Sequence, residues 1–547
     1  MIESLAVSEA TKTWFLISLL LFLAAALRFY GLDWDGGLGA HPDERYVVGV
    51  AESLRWPDRL NPFDVAPDYA YGHLPLYLLA LAGSLAQGTD CLLVGRALTA
   101  LFDLGTVALT FALARRVYGE KVGLLAAAFV ALMVSHVQQA HFYTVDAPLT
   151  FFVLGALLFA SRLAESGRSR DALLAGAWAG LALGCKFSTA LLILPLGAAL
   201  TIRPSRQARG LSLLRCGGAA LAAFALTNPF ALANLPVFWR NLAQQANIAR
   251  GLLDVPYTRQ FHGTWPYLYP IVQQLRWGMG WALGLVAFGG LAYSVWRAVR
   301  EPPRRAEWVL LAWALPYLAF TGALYVKFPR YLLPLTPLLA IYGARLLLRA
   351  SAPLRRCAIV LVLTCSLLRS LAFVNLYRSP HPWLAASEWL YEQAEPGAAV
   401  AVEQWDHPLP LDATGYNVRE LPIFDEETPE KWGEIAEILA QTDYVVIASR
   451  RGYGALARWP ERYPSTARYY RLLFENGMGF ELAACFGRYP RLGPLALVDD
   501  PTAGLDFSLP ALCQPEAPFL LRLRRLDESF VVYDHPQVVI LRRYEAK

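Results

Sequence analysis

"LLVGRALTALFDLGTVALTFALARRVYGEK", residues 92–121, decides the class of this protein, because a long apolar run ends there in a basic link. Residues 92–114 come close to the ~20 residues that a helix needs to cross the hydrocarbon core of a bilayer. Arg115, Arg116 and Lys121 follow the run, and short links rich in Lys and Arg stay on the cytoplasmic side of a membrane. The stretch therefore predicts a membrane-spanning helix and its direction.

The rest of the chain repeats this alternation of apolar runs and charged links. Of its 547 residues, 56% are hydrophobic and 17% are charged, a balance typical of a polytopic membrane protein rather than a soluble one. The net charge of +5 comes from arginines in the links and gives no support to nucleic-acid binding. The runs predict about eleven spans. They cover residues 14–31, 92–114, 122–140, 147–161, 172–185, 187–202, 211–230, 279–296, 307–326, 331–348 and 357–374.

The charges of the links set the predicted orientation. The basic links after the first are Arg162, Arg168 and Arg170; Arg203, Arg206 and Arg209; Arg297, Arg300, Arg304 and Arg305; and Arg345, Arg349, Arg355 and Arg356. Segment 33–73 is instead rich in Asp and Glu, as suits an outer loop. Eleven spans with the N-terminus inside satisfy every link. The sequence therefore predicts a multi-pass protein of the plasma membrane with its C-terminus outside.

Composition changes after residue 374, where polar and apolar residues mix and turn-forming residues recur. We divide the chain into a transmembrane domain, 1–374, and an extracytoplasmic α/β domain of mixed topology, 375–547. Predicted strands cover 398–402, 443–448, 530–533 and 538–541, and predicted helices cover 383–394 and 430–440. Cys485 and Cys513 fall in this domain, and the sequence leaves open whether they form a disulfide.

Unusual polar residues of the transmembrane domain all fall on its predicted outer face. They are Asp43, Glu44, His73, His141, Asp146, Lys186, Lys327 and Arg330, with Arg259 and His262 in an outer loop rich in aromatic residues. Carboxylates beside cations suit a transfer reaction in which a carboxylate takes a proton from a hydroxyl and cations stabilise a departing phosphate. Each residue also has a simpler explanation. The acids could be favoured at helix N-termini, and the cations could extend to the membrane surface.

Four motifs resemble those of the GT-C glycosyltransferases of family 39, which include protein O-mannosyltransferases and aminoarabinose transferases. "PDERYVVGVAESL" resembles the Asp-Glu motif of the first outer loop, and "YTVDAPLTFFVLGALLFAS" the second acidic turn. "GLALGCKFSTALLILPL" is similar to a lysine-bearing helix break, and "KFPRYLLPLTPLLAIYGA" to an Arg-Tyr-rich start of a late span. Their order, sidedness and approximate spacing match over residues 1–374.

The resemblance implies inverting transfer of a sugar from a polyprenyl-phosphate donor to a hydroxyl of a protein, lipid or glycan acceptor. Asp43 would be the general base with Glu44 beside it, and Asp146 would orient a substrate. Lys186, Arg330, Lys327, Tyr331, Arg259 and His262 would bind substrate, chiefly the lipid phosphate. His73 stands where the aminoarabinose transferases have the lysine of a Lys-Pro-Pro element, so its role as a phosphate ligand is the weakest implication.

Two further classes of function stay open at this stage. A transporter or flippase of a lipid-linked sugar would place polar residues through the depth of the spans. A membrane-anchored sensor or scaffold would use the outer domain for binding and would not need Asp43. No cofactor follows from the sequence. Asp43 and Asp146 could share Mg²⁺ or Mn²⁺, but no ligand spacing specifies such an ion.

Overall fold

A computed structural model describes residues 9–86, 88–202, 209–506 and 513–544. Arg203 and Arg206, assigned above to a cytoplasmic link, lie outside the described residues. The chain divides into two compact units. The helical unit comprises 1–32, 41–246 and 266–370, and the sheet unit comprises 33–40, 247–265 and 371–547. Two short segments of the predicted transmembrane domain thus group with the C-terminal residues.

The helices run through the chain in the following order. They are α1 (Glu9–Phe29), α2 (Pro42–Ser53), α3 (Leu74–Leu85), α4 (Cys91–Tyr118), α5 (Glu120–Ala131), α6 (Val134–Gln139), α7 (Asp146–Ser166), α8 (Ser169–Leu183), α9 (Ile193–Ile202), α10 (Arg209–Thr227), α11 (Pro229–Ala233), α12 (Leu235–Ala249), α13 (Leu268–Gln273), α14 (Trp281–Arg300), α15 (Arg305–Ala323), α16 (Thr336–Leu348), α17 (Ala352–Val374), α18 (Pro382–Gln393), α19 (Pro429–Ala440), α20 (Arg451–Ala455), α21 (Pro464–Phe474) and α22 (Glu528–Val531). Short 3₁₀ helices cover Phe187–Leu192, Pro329–Leu335 and Asn375–Arg378, among others.

In the described residues each predicted apolar run falls mostly within one or two helices, with short breaks such as that between α5 and α6. Eight helical segments there are long and apolar enough to cross a membrane. They contain α1, α4, α7, α10, α14, α15, α16 with the 3₁₀ helix before it, and α17. Runs 122–140, 172–185 and 187–202 form shorter helices, α5 with α6, α8, and α9 with its preceding 3₁₀ helix. The predicted polytopic helical fold is therefore confirmed.

Small residues allow the spans to approach closely. A Cβ atom added to Gly155 of α7 would lie 1.8 Å from the Trp178 ring of α8. One added to Gly176 of α8 would lie 2.0 Å from the Cys216 carbonyl oxygen of α10. Such contacts are typical of helices that pack in a membrane, where small residues let backbones meet. They fix the positions of α7 and α8, and both helices lead to candidate site residues.

The sheet unit contains two sheets. Its strands are β1 (Ala399–Glu403), β2 (Asn417–Leu421), β3 (Tyr444–Ile447), β4 (Phe480–Phe486), β5 (Arg491–Leu492), β6 (Leu495–Val498), β7 (Phe519–Arg522) and β8 (Val538–Arg543). The larger sheet has the order β2-β1-β3-β8-β4, with β1 parallel to β2 and β3, and β8 antiparallel to its neighbours. The smaller has the order β5-β6-β7. The prediction of a C-terminal α/β domain is confirmed.

One predicted strand is wrong. Residues 530–533 overlap the helical turn α22 and the residues that follow it. The Asp527 side chain accepts a hydrogen bond from the Ser529 backbone N–H at 2.9 Å and so caps this turn. Because Phe530 to Tyr533 are all buried, the run lacks the polar alternation that separates a strand from a buried helical turn. Cys485 and Cys513 form a disulfide within the same unit.

Candidate active site

The helical unit brings four of the predicted charged residues into one cluster. Arg330 lies between two carboxylates, with Nη2 at 2.7 Å from Asp43 Oδ2 and Nε at 3.7 Å from Asp146 Oδ2. The Lys186 Nζ lies 2.9 Å from the other Asp146 oxygen and 4.6 Å from the centre of the Tyr331 ring. Two anions and two cations thus alternate through direct contacts, although they come from segments up to 287 residues apart.

Each member of this cluster lies at the end of a helix or at a break between helices. Asp43 is in the first turn of α2, which Pro42 begins and the His41 side chain caps. Asp146 is the first residue of α7. Lys186 separates α8 from the next 3₁₀ helix, and Arg330 lies in the 3₁₀ helix before α16. Helix ends direct these side chains to one level of the bundle.

Backbone contacts hold the break at Lys186 in place. The Gly72 and Leu74 backbone N–H groups donate to the Cys185 and Gly184 carbonyls at 3.0 and 3.1 Å. A Cβ atom on Gly72 would lie 2.0 Å from the Gly184 oxygen, so only glycine fits at that position. The start of α3 therefore pairs with the lysine-bearing break and limits its movement.

Hydrogen bonds fix the segment that carries Arg330. Gln274 Nε2 donates to the Pro329 carbonyl at 2.9 Å, and the Tyr317 hydroxyl donates to the Tyr331 carbonyl at 3.0 Å. The Arg330 guanidinium also lies 4.6 Å from the centre of the Phe328 ring. This segment presents Arg330 and Tyr331 to the cluster from a fixed backbone.

The charges of the cluster control the ionisation of Asp43. Burial alone would raise the pKa of its carboxyl group, but Arg330, His41 and Lys186 together outweigh burial, so the pKa is lowered. A hydrogen bond from Tyr71 acts in the same direction. Asp43 is therefore a carboxylate at neutral pH. Its side chain is 28% exposed, against 4% for Asp146, so Asp43 is the carboxylate that an incoming molecule reaches more easily.

Glu44, which the sequence predicts to act beside Asp43, points away from the cluster and towards α4. Its carboxylate is fully buried and binds Arg96 of α4 with both oxygens, at 2.9 and 2.8 Å. It also accepts the Tyr143 backbone N–H at 2.7 Å. Adjacent residues of a helix point about 100° apart, so Asp43 and Glu44 cannot face the same space. The geometry gives Glu44 the role of a tie between α2 and α4.

His73 and Lys327 lie outside the cluster contacts described above. His73 precedes α3, and its backbone N–H donates to Asn228 Oδ1 at 2.7 Å. Burial lowers the pKa of His73 to about 4, so the ring is neutral and adds no charge for a phosphate. Lys327 donates to the Tyr325 carbonyl at 2.7 Å, and burial lowers its pKa to about 8. Lys327 thus remains mostly protonated at pH 7.

Arg259 and His262 belong to the sheet unit. Arg259 pairs with Asp254 at 3.1 Å and donates to the Phe424 carbonyl at 2.7 Å. His262 stacks on Trp459 with ring centres 3.7 Å apart and an interplanar angle of 9°. Both residues have structural partners within their own unit.

Sequence reasoning missed several charged residues inside the spans. Arg28 of α1 binds Asp103 of α4, which also contacts His136 Nδ1 at 2.5 Å. His136 Nε2 lies 2.8 Å from the Thr336 hydroxyl. All are at most 1% exposed. Arg96 and Asp103 lie within the apolar run 92–114. A charged residue inside such a run indicates a buried partner on another helix, and this signal could have identified both residues.

The geometry does not fit a metal ion shared by Asp43 and Asp146. The Arg330 guanidinium contacts both carboxylates and occupies the place between them. Within the described ranges, no group of three or more His, Cys, Asp and Glu residues is arranged to hold a metal ion. Mg²⁺ and Mn²⁺ therefore gain no support as ions bridging this pair.

Comparisons with known proteins agree with the fold. Residues 73–232 match the sequence family described as dolichyl-phosphate-mannose-protein mannosyltransferase, and this range contains Asp146 and Lys186. The oligosaccharyltransferase of Archaeoglobus fulgidus is similar in structure, with 15% identity and a TM-score of 0.50, covering 84% of this chain and 73% of that one. ArnT of Cupriavidus metallidurans shows 16% identity and a TM-score of 0.49, covering 82% and 95%. No curated protein matches in sequence.

The predicted resemblance to GT-C glycosyltransferases is confirmed by the family match and the fold. The predicted class of membrane glycosyltransferase agrees with the family match over residues 73–232. The donor, the acceptor, the side of the membrane and the roles of single residues are taken up in the proposal that follows.

Proposed function

We propose that this protein transfers a sugar from a polyprenyl-phosphate donor to an acceptor hydroxyl at the outer face of the membrane, with inversion. The observation that carries the proposal is the contact series Asp43, Arg330, Asp146 and Lys186. The family description of residues 73–232, which names a dolichyl-phosphate-linked mannose, supports the class of donor.

Lys186 and Arg330 would bind the lipid phosphate. Both already contact Asp146, which is 4% exposed, and this contact holds them in place before a ligand arrives. Cations that are fixed in advance stabilise the charge that develops on the leaving phosphate without a cost in reorganisation. Tyr331, whose ring lies beside Lys186, completes this side of the site.

Asp43 would act as the general base. The acceptor oxygen attacks the anomeric carbon as the bond from that carbon to the phosphate oxygen breaks. The acceptor proton passes to Asp43, and the polyprenyl phosphate leaves with the bonding electron pair. Arg330 couples the two halves of this step, because a phosphate anion bound beside it offsets the positive charge that, among the neighbouring cations, does most to lower the Asp43 pKa. Donor binding would thereby strengthen the base.

The other predicted residues take supporting parts. Glu44 maintains the position of α2 through Arg96. His73 supports the start of α3, and Lys327 provides a third cation, three residues before Arg330. Arg259 and His262 act within the sheet unit. The acceptor remains a protein, lipid or glycan hydroxyl.

Two observations support an outer location for the site and the sheet unit. The basic links place the opposite ends of the spans in the cytoplasm. The disulfide between Cys485 and Cys513 is typical of oxidising compartments outside the cytoplasm.

The transporter alternative predicts polar residues at depth in the spans, and the Arg28, Asp103 and His136 network is such a feature. These side chains are at most 1% exposed, and Arg28 also donates to the Ala131 and Val130 carbonyls. A network that saturates its own groups joins helices rather than offering ligands to a passing molecule. We therefore assign it to the packing of the bundle.

The test is sugar transfer by the full-length protein in nanodiscs, with a panel of radiolabelled polyprenyl-phosphate sugars and membranes as the source of acceptor. Wild type should transfer label from one donor, and Asp43→Asn should reduce the rate by roughly 10²–10⁴-fold, the usual worth of a general base. Asp43→Asn should retain donor binding, whereas Lys186→Gln should weaken it. Asp58→Asn, at an exposed residue of the same outer segment, is the matched control and should behave as wild type.

Two results would overturn the proposal. One is equal transfer by wild type and Asp43→Asn. The other is the absence of transfer from every donor by a folded wild-type protein.

A further inference from the structure

The carboxyl ends of three parallel strands meet at one edge of the larger sheet. In the order β2-β1-β3, the chain leaves β1 towards β2 on one side and leaves β3 towards β4 on the other. The carboxyl ends of β1 and β3 therefore form a topological switch point, the place where open α/β sheets bind their ligands. We call the residues that follow the three strands, 404–406, 422–425 and 448–451, the switch-point loops.

Hydrogen bonds hold the switch-point loops together. Gln404 donates from Nε2 to Asp425 Oδ1 at 3.1 Å, which joins the ends of β1 and β2. The Ser449 hydroxyl donates to Asp406 Oδ2 at 2.7 Å, which joins the ends of β1 and β3. A carboxylate has about four lone-pair sites, so each aspartate can accept further hydrogen bonds. Asp425 is exposed and Asp406 is half-buried, so a ligand can reach both.

Trp405 lies between Gln404 and Asp406 in the chain and has a backbone conformation that large side chains disfavour. Its φ is +65°, in the left-handed region. Arg451 Nη1 donates to the Trp405 carbonyl at 2.5 Å, and this hydrogen bond helps to hold the conformation. The side chain is 51% exposed, so its ring gains only part of the free energy that full burial would give. Glycine would adopt this backbone at lower cost, and such strain is typical of ligand sites.

The charges of the switch-point loops favour an uncharged ligand over an anionic one. A phosphate or sulfate group would meet the carboxylates of Asp406 and Asp425. Arg451, the cation beside the Trp405 carbonyl, is already paired through Nε with Glu528 at 2.9 Å. A neutral sugar fits better, because its hydroxyl groups donate to carboxylates and the apolar C–H face of its ring packs on an indole.

We propose that the switch-point loops bind a neutral glycan, with a sugar ring on the face of Trp405 and hydroxyl groups that donate to Asp406 and Asp425. A cationic amine is the main alternative, since an indole also attracts ammonium groups. The glycan is favoured because both aspartates already accept hydrogen bonds from uncharged groups, the Ser449 hydroxyl and the Gln404 amide. The site lies within the sheet unit and does not depend on the proposed sugar transfer.

The test measures binding by the full-length protein in nanodiscs. Saturation-transfer difference NMR is recorded with uncharged trisaccharides of mannose, glucose, galactose and N-acetylglucosamine, each in turn, and with empty nanodiscs as background. The wild type should transfer saturation to the ring C–H protons of at least one trisaccharide. Asp43→Asn should give the same signal, which separates this site from the cluster in the helical unit.

Variants then assign the signal to the switch-point loops. Trp405→Asn should weaken binding roughly tenfold or more, because asparagine tolerates a positive φ but lacks the ring. Its thermal unfolding midpoint should stay close to that of wild type. Phe519→Ala, at an aromatic residue of β7 that is 64% exposed, is the matched control and should bind as wild type.

A second pair of variants tests the carboxylates. Asp425→Ala should weaken binding roughly tenfold, since it removes a charged hydrogen-bond acceptor. Glu434→Ala, at an exposed acid of α19, should have no effect. This pair decides the question even if Trp405→Asn fails to fold.

Three results would overturn the proposal. One is a folded wild type that transfers saturation to none of the trisaccharides. Another is equal binding by wild type, Trp405→Asn and Asp425→Ala. The third is tighter binding of spermidine, or of an unglycosylated peptide rich in Ser and Thr, than of any trisaccharide.

Discussion

Replacing Glu44 by Gln should destabilise the protein without removing its chemistry. Glu44 accepts hydrogen bonds from the Arg96 guanidinium at 2.9 and 2.8 Å and from the Tyr143 N–H at 2.7 Å. Both charged side chains have an exposed fraction of 0%. Removing one partner of a buried ion pair costs roughly 3–5 kcal/mol, because the remaining charge stays desolvated.

Glutamine has nearly the shape of glutamate and can still accept the Tyr143 N–H, so we expect a loss near the lower end, about 3 kcal/mol. The assay is unfolding in mixed micelles of a mild detergent and sodium dodecyl sulfate, compared with wild type. Glu52→Gln is the matched control on the same helix. As an exposed residue it should change the free energy of unfolding by less than about 0.5 kcal/mol.

A second variant tests whether the loss comes from the pair. Glu44→Leu combined with Arg96→Met removes both charges, so it should be less destabilising than the sum of its single changes. The folded fraction of Glu44→Gln should transfer sugar at a rate close to that of wild type. A Glu44→Gln protein with wild-type stability and no transfer would refute this reasoning and would give Glu44 a catalytic role beside Asp43.

Two further predictions concern the cluster and the bundle. Arg330→Gln should move the acid limb of the pH dependence of transfer to higher pH. In the wild type the lowered Asp43 pKa keeps the base ionised until the pH falls below the ordinary carboxyl range. Without Arg330, less positive charge opposes the effect of burial, so the Asp43 pKa rises. An unchanged acid limb in the pH profile of kcat/KM would contradict the coupling. Gly176→Ala should lower the free energy of unfolding by roughly 1–3 kcal/mol, because its Cβ would overlap the Cys216 carbonyl. Gly217→Ala, with nothing within 4 Å of its Cβ, should not lower stability in the same micelle assay and should raise it by up to about 1 kcal/mol, the difference in helix propensity.

The sequence predicted part of the site because topology restricts residues to one face of a membrane. Asp43, Asp146, Lys186 and Arg330 were assigned to that face, and the structure brings them into contact. The same reasoning grouped Glu44 with Asp43, since sidedness does not distinguish adjacent residues. Only the rotation of α2 against α4 directs Glu44 to Arg96.

Charges inside the apolar runs show the other limit of sequence reasoning. Hydropathy averages over a window and therefore treats Arg96 and Asp103 as minor interruptions of a span. Their partners, Glu44, Arg28 and His136, lie on other helices. Because lateral packing creates these pairs, no local pattern of the sequence contains them.

The sequence by itself determined that the chain is a polytopic helical membrane protein with a C-terminal α/β domain, because apolar length and charge asymmetry act locally along the chain. The tertiary structure decided which polar residues meet. It placed Arg330 between Asp43 and Asp146, where the sequence left room for a metal ion. The physical reason is that membrane topology fixes the depth of each residue, whereas contacts between helices depend on how small residues such as Gly155 and Gly176 allow the spans to pack.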